Sequence, residues 1–387
     1  MSSVLGTYAR KAISFTKGEG SFLYTEKGDK YLDWIAGIAT NILGHCHPHV
    51  SKAIQDQSKK LIHVSNAVII KEAESLAKRI TYNTFADKVF FCNSGAESVE
   101  GAIKIVRRYF HTIGKPEKNR IVSFSGAFHG RSLAALFLAN NKSHTEGFGP
   151  KVDGFDQVAF GDHEALKKAI NKNTAAIICE PIQGEGGVRI VPDYCLKGLR
   201  EICDEHGILL IFDSVQTSFR TGTLLGFENS GISPDICCVA KGFGNGFPIG
   251  AILLTKEASK GMSPGSHGST FGNNLLACAA AHAVLDIVLA KGFFEEVIAK
   301  GEYFDKELKK LKDDFPKIIE EVRGINFIKG LKLKVDTNDF MSKLMEHKLL
   351  VVKAAQNCIR LFPSLLSTTG ELDMGIKIIK KTCEEMS

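Results

Sequence analysis

The middle of the chain alternates short, continuously apolar runs with longer segments whose apolar residues recur every three or four positions. The runs "KVFFC", "RIVSF", "AAIIC", "ILLIFD" and "ICCVA" are typical of strands that are buried on both faces. Segments 96–110 and 193–207 have helical spacing. Because strands and helices that take turns require crossover connections, the pattern predicts an α/β fold with a mostly parallel sheet flanked by helices.

Polar or small residues stand where several of these apolar runs end. Ser94 and Gly95 follow the first run, and Glu180, Asp213 and Lys241 stand at the ends of three later ones. Ligands of open α/β sheets bind beyond the carboxyl ends of the strands. The pattern therefore predicts that these strand ends form one site.

The two flanks of the chain have a different pattern. "GSFLYTEKGDKYLDW" predicts two strands joined by a tight turn. Beyond residue 291 the charge density rises, and "EEVIAKGEYFDKELKKLKDDF" predicts a solvated helix. We interpret residues 1–48 and 291–387 as the two parts of a smaller α+β domain, packed beside a large domain of residues 49–290.

Composition restricts the class of protein further. The 387 residues are 44% hydrophobic and 24% charged with a net charge of +6, which is typical of a soluble globular chain of two domains. Dense basic blocks, a membrane-length apolar run and a leader-like first segment are not visible in the sequence. We therefore expect a cytoplasmic protein without a nucleic-acid or membrane partner, whose ten cysteines are thiols.

A lysine at the end of a buried strand suits covalent chemistry with a carbonyl compound. Lys241 would be partly desolvated there, so that its amine is free to attack, and the glycines within 242–250 would leave room for a flat ring. Asp213 ends the preceding predicted strand, where a carboxylate could keep a pyridine nitrogen protonated. Taken singly, a solvated lysine and a turn aspartate are the ordinary alternatives.

A third element of the site precedes a predicted helix. Ser94, Gly95 and Ala96 stand where a strand turns into a helix, and backbone N–H groups at such a point can hold a phosphate. An ordinary helix cap is the alternative interpretation of this stretch alone. A lysine, a carboxylate and a phosphate cradle on separate strand ends together describe one cofactor, pyridoxal 5'-phosphate.

Seven motifs extend this interpretation over nearly the whole chain: "GHCHP", "NSGAE", "FHGR", "EPIQGEGG", "AKG", "GSHGSTFG" and "RLFP". In this order they resemble the class-III, ornithine-aminotransferase-like family of pyridoxal-phosphate aminotransferases. The resemblance implies a fold-type I transferase, with a large domain built on a seven-stranded type of sheet and a smaller α+β domain. It also implies a homodimer that shares two active sites between its subunits.

The resemblance assigns cofactor contacts to individual residues. Lys241 resembles the Schiff-base lysine, and Asp213 resembles the partner of the pyridine nitrogen. Gln216 matches the side chain near the phenolic oxygen, and Phe128 the ring stacked on the cofactor. Thr270 resembles the residue that reaches the phosphate of the neighbouring subunit. Ser94, Gly95 and Ala96 complete the expected cofactor-binding set.

Substrate contacts follow from the same resemblance. Arg360 resembles the arginine that binds the α-carboxylate of glutamate or 2-oxoglutarate, and Glu185 the carboxylate that pairs with it when the other substrate is bound. Arg131 resembles the arginine that holds the distal α-carboxylate of an ornithine-type substrate, and Ser269 is a further expected substrate contact. Ile38 stands where the free-ornithine enzymes have a tyrosine that grips their substrate.

The apolar residue at position 38 favours an acylated substrate. We expect transfer of the δ-amino group of N2-acetylornithine to 2-oxoglutarate, which gives N-acetylglutamate 5-semialdehyde and glutamate, a reaction of arginine biosynthesis. The alternatives are succinylornithine, free ornithine or another ω-amino acid as the donor.

The chain departs from the family pattern at several positions. Ser214 replaces a glutamate, and the following loop, 217–222, is one residue short, so its path beside the cofactor should differ. Asn273 stands where a glycine is usual, and Leu275 where a proline is usual. A relative that keeps the cofactor without useful activity is therefore a further alternative.

Two other classes of protein are weighed against the aminotransferase. "GFGNG" superficially resembles a dinucleotide-binding loop, but it lacks the third glycine and precedes a predicted strand instead of a helix. The cluster His45, Cys46, His47 and His49 could bind zinc, but it has no evident remote ligand. We expect no metal.

Overall fold

The computed structural model describes residues 3–387. Its helices are α1 (Ala36–Ala39), α2 (Pro48–Ser58), α3 (Lys71–Tyr82), α4 (Gly95–Thr112), α5 (Leu133–Ala139), α6 (Lys142–Thr145), α7 (His163–Ala169), α8 (Asp193–His206), α9 (Leu275–Val288), α10 (Phe293–Asp314), α11 (Thr337–Glu346) and α12 (Thr369–Met386). Its strands are β1 (Lys17–Glu19), β2 (Phe22–Tyr24), β3 (Lys30–Asp33), β4 (Lys88–Cys92), β5 (Arg120–Phe124), β6 (Phe155–Val158), β7 (Thr174–Cys179), β8 (Ile182–Gln183), β9 (Arg189–Ile190), β10 (Leu209–Asp213), β11 (Ile236–Val239), β12 (Gly250–Leu254), β13 (Ile319–Ile325), β14 (Ile328–Leu333), β15 (Leu349–Leu350), β16 (Val352–Ala354) and β17 (Cys358–Leu361).

The central sheet has seven strands in the order β4-β12-β11-β10-β7-β5-β6. Pairs from β11 to β6 are parallel, and β12 runs antiparallel to both of its neighbours. Every residue of β7, β10, β11 and β12 is buried, because helices cover both faces of the sheet. The predicted α/β class and mostly parallel sheet are confirmed.

The helices predicted from periodicity are also present. In α4 the apolar face that includes Val99, Ile103 and Val106 is buried, and the helix begins directly after β4. The next predicted helix, α8, ends at Gly207, which adopts the left-handed conformation with φ 57° that a side chain at that position would disfavour. The start of α4 after β4 and the end of α8 before β10 are thus both recognisable from the local sequence.

Two smaller sheets lie outside the central one, in the orders β1-β2-β3-β15 and β13-β14-β17-β16. The first joins the two flanks of the chain, because β3 pairs in parallel with β15, with Leu32 opposite Leu349. Trp34 is fully buried, and its ring centroid lies 5.2 Å from that of Phe304. The flanks therefore pack together, while the domain boundaries 1–48, 49–290 and 291–387 stay a prediction.

The long charged helix α10 differs from its prediction. Val297, Phe304 and Leu308 are buried on one face, so the helix is solvated only on the other. Across residues 3–387 no single helix is long and apolar enough to cross a membrane. By length and composition α9 and α10 pass that test as a pair, bent by 73° at their junction.

Candidate active site

The carboxyl ends of β4, β7, β10 and β11 open on a cavity of about 420 Å³. Ser94, Glu180, Asp213 and Lys241 all line it, so the structure brings the four strand ends together as the sequence pattern indicates. The predicted site residues that line the cavity are Ser94, Gly95, Ala96, Phe128, Arg131, Glu185, Asp213, Gln216 and Lys241.

Lys241 follows β11 in a single turn of 3-10 helix and has a positive φ of 46°. A left-handed conformation is rare for a residue with a side chain, and such strain is concentrated at functional sites. The pKa of Lys241 is lowered to about 8, first because burial disfavours the ammonium form and second because Arg360 adds a positive charge nearby. Its neutral amine is therefore far better populated near neutral pH than that of an exposed lysine.

Asp213 is a buried carboxylate with both oxygens occupied. Its Oδ2 lies 2.8 Å from Nδ1 of His129, and its Oδ1 accepts the backbone N–H of Val215 at 3.1 Å. His129 is itself 2% exposed. The sequence alone does not single out this histidine, although "FHGR" contains it. The pairing fixes the orientation of the carboxylate toward the cavity that Asp213 lines.

Glu180 places a second carboxyl group beside Asp213. Its Oε2 accepts the backbone N–H of Phe128 at 3.1 Å. Burial raises the pKa of Glu180 well above its ordinary value, and the neighbouring Asp213 raises it further. From the sequence, Glu180 is recognisable only as a strand end. The structure adds that it holds the segment that carries Phe128.

The N-terminus of α4 forms another part of the cavity wall. Ser94 caps this 18-residue helix by accepting the N–H of Glu97 at 3.2 Å, and Gly95 and Ala96 follow it. Gly130 has φ 125°, and a Cβ there would lie 3.0 Å from the Cβ of Ala96. Glycine is therefore required for the close approach of this segment to the helix N-terminus.

Arg360, on β17, reaches the site from the C-terminal sheet. It is 1% exposed, and its Nη1 donates to Oε1 of Glu185 at 2.6 Å. The same nitrogen lies 3.4 Å from Oε1 of Gln216, and Nη2 donates to the carbonyl of Lys353 at 2.8 Å. Because the side chain of Glu185 is 34% exposed, the buried arginine has a partner that can leave it without crossing the protein core.

Arg131 stands at the exposed side of the cavity. Its Cζ lies 5.6 Å from the ring centroid of Phe128, and its Nη2 lies 3.2 Å from Nε2 of His144. The sequence does not single out His144, which lies outside the seven family motifs. Burial and the charge of Arg131 lower the pKa of His144. The lowered pKa favours the neutral imidazole, which accepts the hydrogen bond from the arginine.

The turn α1 borders the same cavity through Thr40. Residues 36–39 all have positive φ, between 47° and 66°, so the turn is left-handed. Ile38 has φ 58° and is 41% exposed, although a β-branched residue strongly disfavours this conformation. No pattern in the sequence predicts this backbone conformation.

The structure does not bring every predicted residue to the cavity. Thr270 is exposed and does not line it. Ser269 is one step removed, since its Oγ lies 3.2 Å from Nδ2 of Asn93, which does line the cavity. Phe271, next to Thr270, is a large apolar residue that is exposed. Segment 61–69 carries four more exposed apolar side chains: Leu61, Ile62, Val68 and Ile69.

The glycines after Lys241 do not make room for a ring, so that prediction is wrong for most of them. A Cβ at Gly242 would lie 2.9 Å from Ile42, one at Gly244 3.0 Å from Ile249, and one at Gly250 would collide with the carbonyl of Ser94. The space that a side chain would need at these glycines is already occupied by other residues of the same protein. They allow tight packing behind the lysine.

The histidine cluster of "GHCHPH" diverges in space. His45 lies 2.7 Å from Asp33, and His49 lies 2.8 Å from Asp286. His47 caps α2 by accepting the N–H of His49. Within residues 3–387 no group of three or more His, Cys, Asp or Glu side chains is arranged to hold a metal ion.

Comparisons with known proteins agree with this geometry. The model of the family Aminotransferase class-III matches residues 7–383. The acetylornithine aminotransferase of Agrobacterium fabrum is 50% identical over 382 residues, which cover 98% of this chain and 96% of that relative. Acetylornithine aminotransferase 1 of Bradyrhizobium diazoefficiens is 48% identical over 385 residues, which cover 99% and 95% of the two chains.

Solved structures give the same result. The ornithine aminotransferase of Toxoplasma gondii ME49 superposes with a TM-score of 0.95 at 30% identity, over 99% of this chain and 93% of that one. The acetylornithine aminotransferase of Elizabethkingia anophelis superposes with a TM-score of 0.88 at 30% identity, over 99% and 96% of the two chains. This chain belongs to the class-III aminotransferase family. It is a fold-type I aminotransferase that depends on pyridoxal phosphate.

The residues of the cavity fit that cofactor. Lys241 offers an amine of lowered pKa, and Asp213 offers a buried carboxylate of fixed orientation. The N-terminus of α4 offers backbone donors at a helix end, which suits a phosphate. The three groups line one cavity on separate strand ends.

Proposed function

We propose that the protein transfers the δ-amino group of N2-acetylornithine to 2-oxoglutarate and so forms N-acetylglutamate 5-semialdehyde and glutamate. The observation that carries the proposal is the unequal state of two arginines, of which Arg131 lines the cavity and Arg360 lies behind its lining residues Glu185 and Gln216. Arg131 is exposed and open to a carboxylate, whereas buried Arg360 is neutralised by Glu185. Relatives that are 48–50% identical and named acetylornithine aminotransferases support this choice of substrate.

Pyridoxal phosphate, when bound, supplies a carbonyl carbon that reacts with amines and a ring that withdraws electrons. Lys241 would bind that carbon through Nζ. Asp213 would face the ring nitrogen and Gln216 the phenolic oxygen, while Phe128 would cover one face of the ring. Ser94, Gly95 and Ala96 would hold the phosphate with backbone N–H groups and the helix dipole.

Lys241 would also move the proton that transamination requires. Its lowered pKa leaves the amine neutral often enough to accept a proton from the carbon that carries the transferred nitrogen. The half-buried position limits the access of water to that proton. In the second half-reaction the same nitrogen would return a proton to the carbon of the keto acid.

The arginines would distinguish the two substrates. N2-acetylornithine would place its α-carboxylate on Arg131 and its δ-amine at Lys241, while Glu185 stays on Arg360. 2-Oxoglutarate would place its α-carboxylate on Arg360 and its distal carboxylate near Arg131, so Glu185 must move away. Guanidinium groups suit this work because they bind carboxylates in a bidentate manner.

We also propose that the protein is a homodimer with shared active sites. Thr270 is exposed outside the cavity of its own chain, which suits contact with the phosphate of a partner copy. The exposed apolar residues Phe271, Leu61 and Ile62 stand in segments that are joined by the hydrogen bond from Asn274 to the carbonyl of Ile62, and a patch of such residues favours an interface with a second copy. Size-exclusion chromatography with light scattering would test this, and a monomeric active enzyme would contradict it.

The absorbance of the loaded enzyme tests the choice of substrate. We expect N2-acetylornithine to convert the cofactor to its amine form in a single turnover faster than N2-succinylornithine or free ornithine. 2-Oxoglutarate should then restore the original spectrum. N2-succinylornithine is the strongest competing donor, because the apolar residue Ile38 favours an acylated substrate over free ornithine. If either competitor reacts fastest, the acetylated substrate is wrong and the aminotransferase class stands.

A further inference from the structure

His144 makes contacts that the proposed roles do not use. It lies on α6, and its Nε2 accepts a hydrogen bond from Nη2 of Arg131 at 3.2 Å. It also meets Phe128 edge to face, with ring centroids 6.2 Å apart and an interplanar angle of 89°. Because Arg131 in turn lies over Phe128, the three side chains contact one another in pairs.

Arg131 needs such a neighbour more than most arginines do. Its side chain is exposed, so it has many accessible rotamers, and binding a carboxylate requires that one of them be selected. Buried Arg360 is held differently, by the carbonyl of Lys353 and by Glu185. On the Arg131 side, His144 is the side chain whose hydrogen bond restrains the guanidinium.

We propose that His144 is a positioning residue, which holds the guanidinium of Arg131 ready for the α-carboxylate of the acylated ornithine. This inference rests on the proposed function, because it assumes that Arg131 binds that carboxylate. His144 itself need not touch the substrate. Its effect reaches the substrate through Arg131, so it should change substrate affinity more than the rate of the chemical steps.

The hydrogen bond between Arg131 and His144 should depend on pH, because His144 can take up a proton. Arg131 and Glu185 are the charged groups that act on it from neighbouring segments. Burial lowers the pKa of His144, the charge of Arg131 lowers it further, and Glu185 partly opposes both. Protonated Nε2 cannot accept from a guanidinium, and the new positive charge repels Arg131. Acidification should therefore have the same effect as removal of the imidazole acceptor.

Two variants separate the contacts. His144→Phe keeps an aromatic ring against Phe128 and removes the acceptor, while His144→Gln supplies an amide oxygen and removes the ring. For His144→Phe we expect KM for N2-acetylornithine to rise about tenfold, the scale of a lost hydrogen bond to a charged group, with kcat changed less than about twofold. His144→Gln should recover most of that loss. The wild-type KM should rise below the pKa of His144, and neither variant should show this titration.

Arg131→Ala, measured beside these variants, shows which idea fails. If Arg131→Ala leaves KM for N2-acetylornithine unchanged, the proposed substrate pose is wrong and the positioning role falls with it. If Arg131→Ala raises KM while His144→Phe does not, the positioning role alone is wrong. The positioning role would also be overturned if His144→Phe and His144→Gln lowered kcat and raised KM to the same extent as each other. That result would indicate that His144 is merely structural. Retained kcat in the variants shows that they are folded.

Discussion

Oε1 of Glu185 lies 2.6 Å from Nη1 of Arg360, and the two side chains are unequally buried, at 34% and 2% exposed. An arginine this deeply buried would be costly without a counter-charge. The glutamate supplies that charge from the lining of the cavity, and in the proposed pose a dicarboxylate substrate would take its place. The pair thus links the electrostatic stability of the site to the identity of the ligand in it.

Arg360→Ala should cripple the half-reaction with glutamate or 2-oxoglutarate far more than the half-reaction with N2-acetylornithine. Removing a charged partner from a desolvated clamp costs about 2–5 kcal/mol. Arg131→Ala should damage both halves, because in the proposed pose each substrate would place a carboxylate there. Single-turnover absorbance measures the halves separately. Equal slowing of both halves by Arg360→Ala would contradict the assigned pose.

Asp213→Ala should lower the rate of the first half-reaction on the order of a hundredfold or more, the scale seen when one preorganised electrostatic group is removed from an active site. Cofactor affinity should fall less, since the helix terminus at Ser94 and the amine of Lys241 remain. Asp213→Asn is the matched control, because it keeps the shape and removes the charge. A near-normal rate in either variant would show that the carboxylate does not act on the cofactor.

Lys241 should react as an amine of pKa about 8 in enzyme from which the cofactor has been removed, and not at the ordinary value of 10.5. The rate of its modification by trinitrobenzenesulfonate should rise with pH to a midpoint near 8, because only the neutral amine reacts. Peptide mapping identifies the labelled lysine. In loaded enzyme, borohydride should fix the cofactor on the peptide that contains Lys241. Cofactor fixed to another lysine in Lys241→Ala would defeat the assignment.

Asn273→Ala should destabilise the protein by about 1 kcal/mol more than Asn273→Gly does. Asn273 has φ 66°, a conformation that glycine adopts freely and alanine does not. Both variants lose the hydrogen bond from Nδ2 of Asn273 to Asn66, so that loss cancels in the comparison. Thermal unfolding of the two variants side by side measures the difference, and equal melting temperatures would argue against backbone strain at this position.

The strands and their ends could be predicted because burial on both faces leaves a continuous apolar run that stops where the chain meets the cavity. β7 and β10 follow that rule residue by residue. Departures from the family pattern were also informative. Asn273 has φ 66°, a conformation that glycine adopts freely, and Leu275 is the first residue of α9, where proline is well tolerated.

Other parts of the site left no local signal in the sequence. His144 reaches Arg131 only through the path of the chain after α5, and no periodicity encodes that path. The left-handed turn at Ile38 has the composition of an ordinary helix, so tertiary contacts must impose it. The prediction that the glycines after Lys241 leave room for a ring was wrong because a glycine indicates that some group comes close to the backbone, but not whether that group is a ligand or another part of the protein.

The pairing of β3 with β15 has a consequence for the order in which the protein folds during translation. Ribosomal synthesis delivers β1, β2 and β3 first, yet their sheet is completed only when Leu349 and Leu350 have left the ribosome. The strands of the central sheet all lie between β3 and β15 in the sequence. That sheet can therefore assemble during translation, before β1, β2 and β3 gain their fourth strand. The long sequence separation makes closure of the outer sheet a late and slow event in folding.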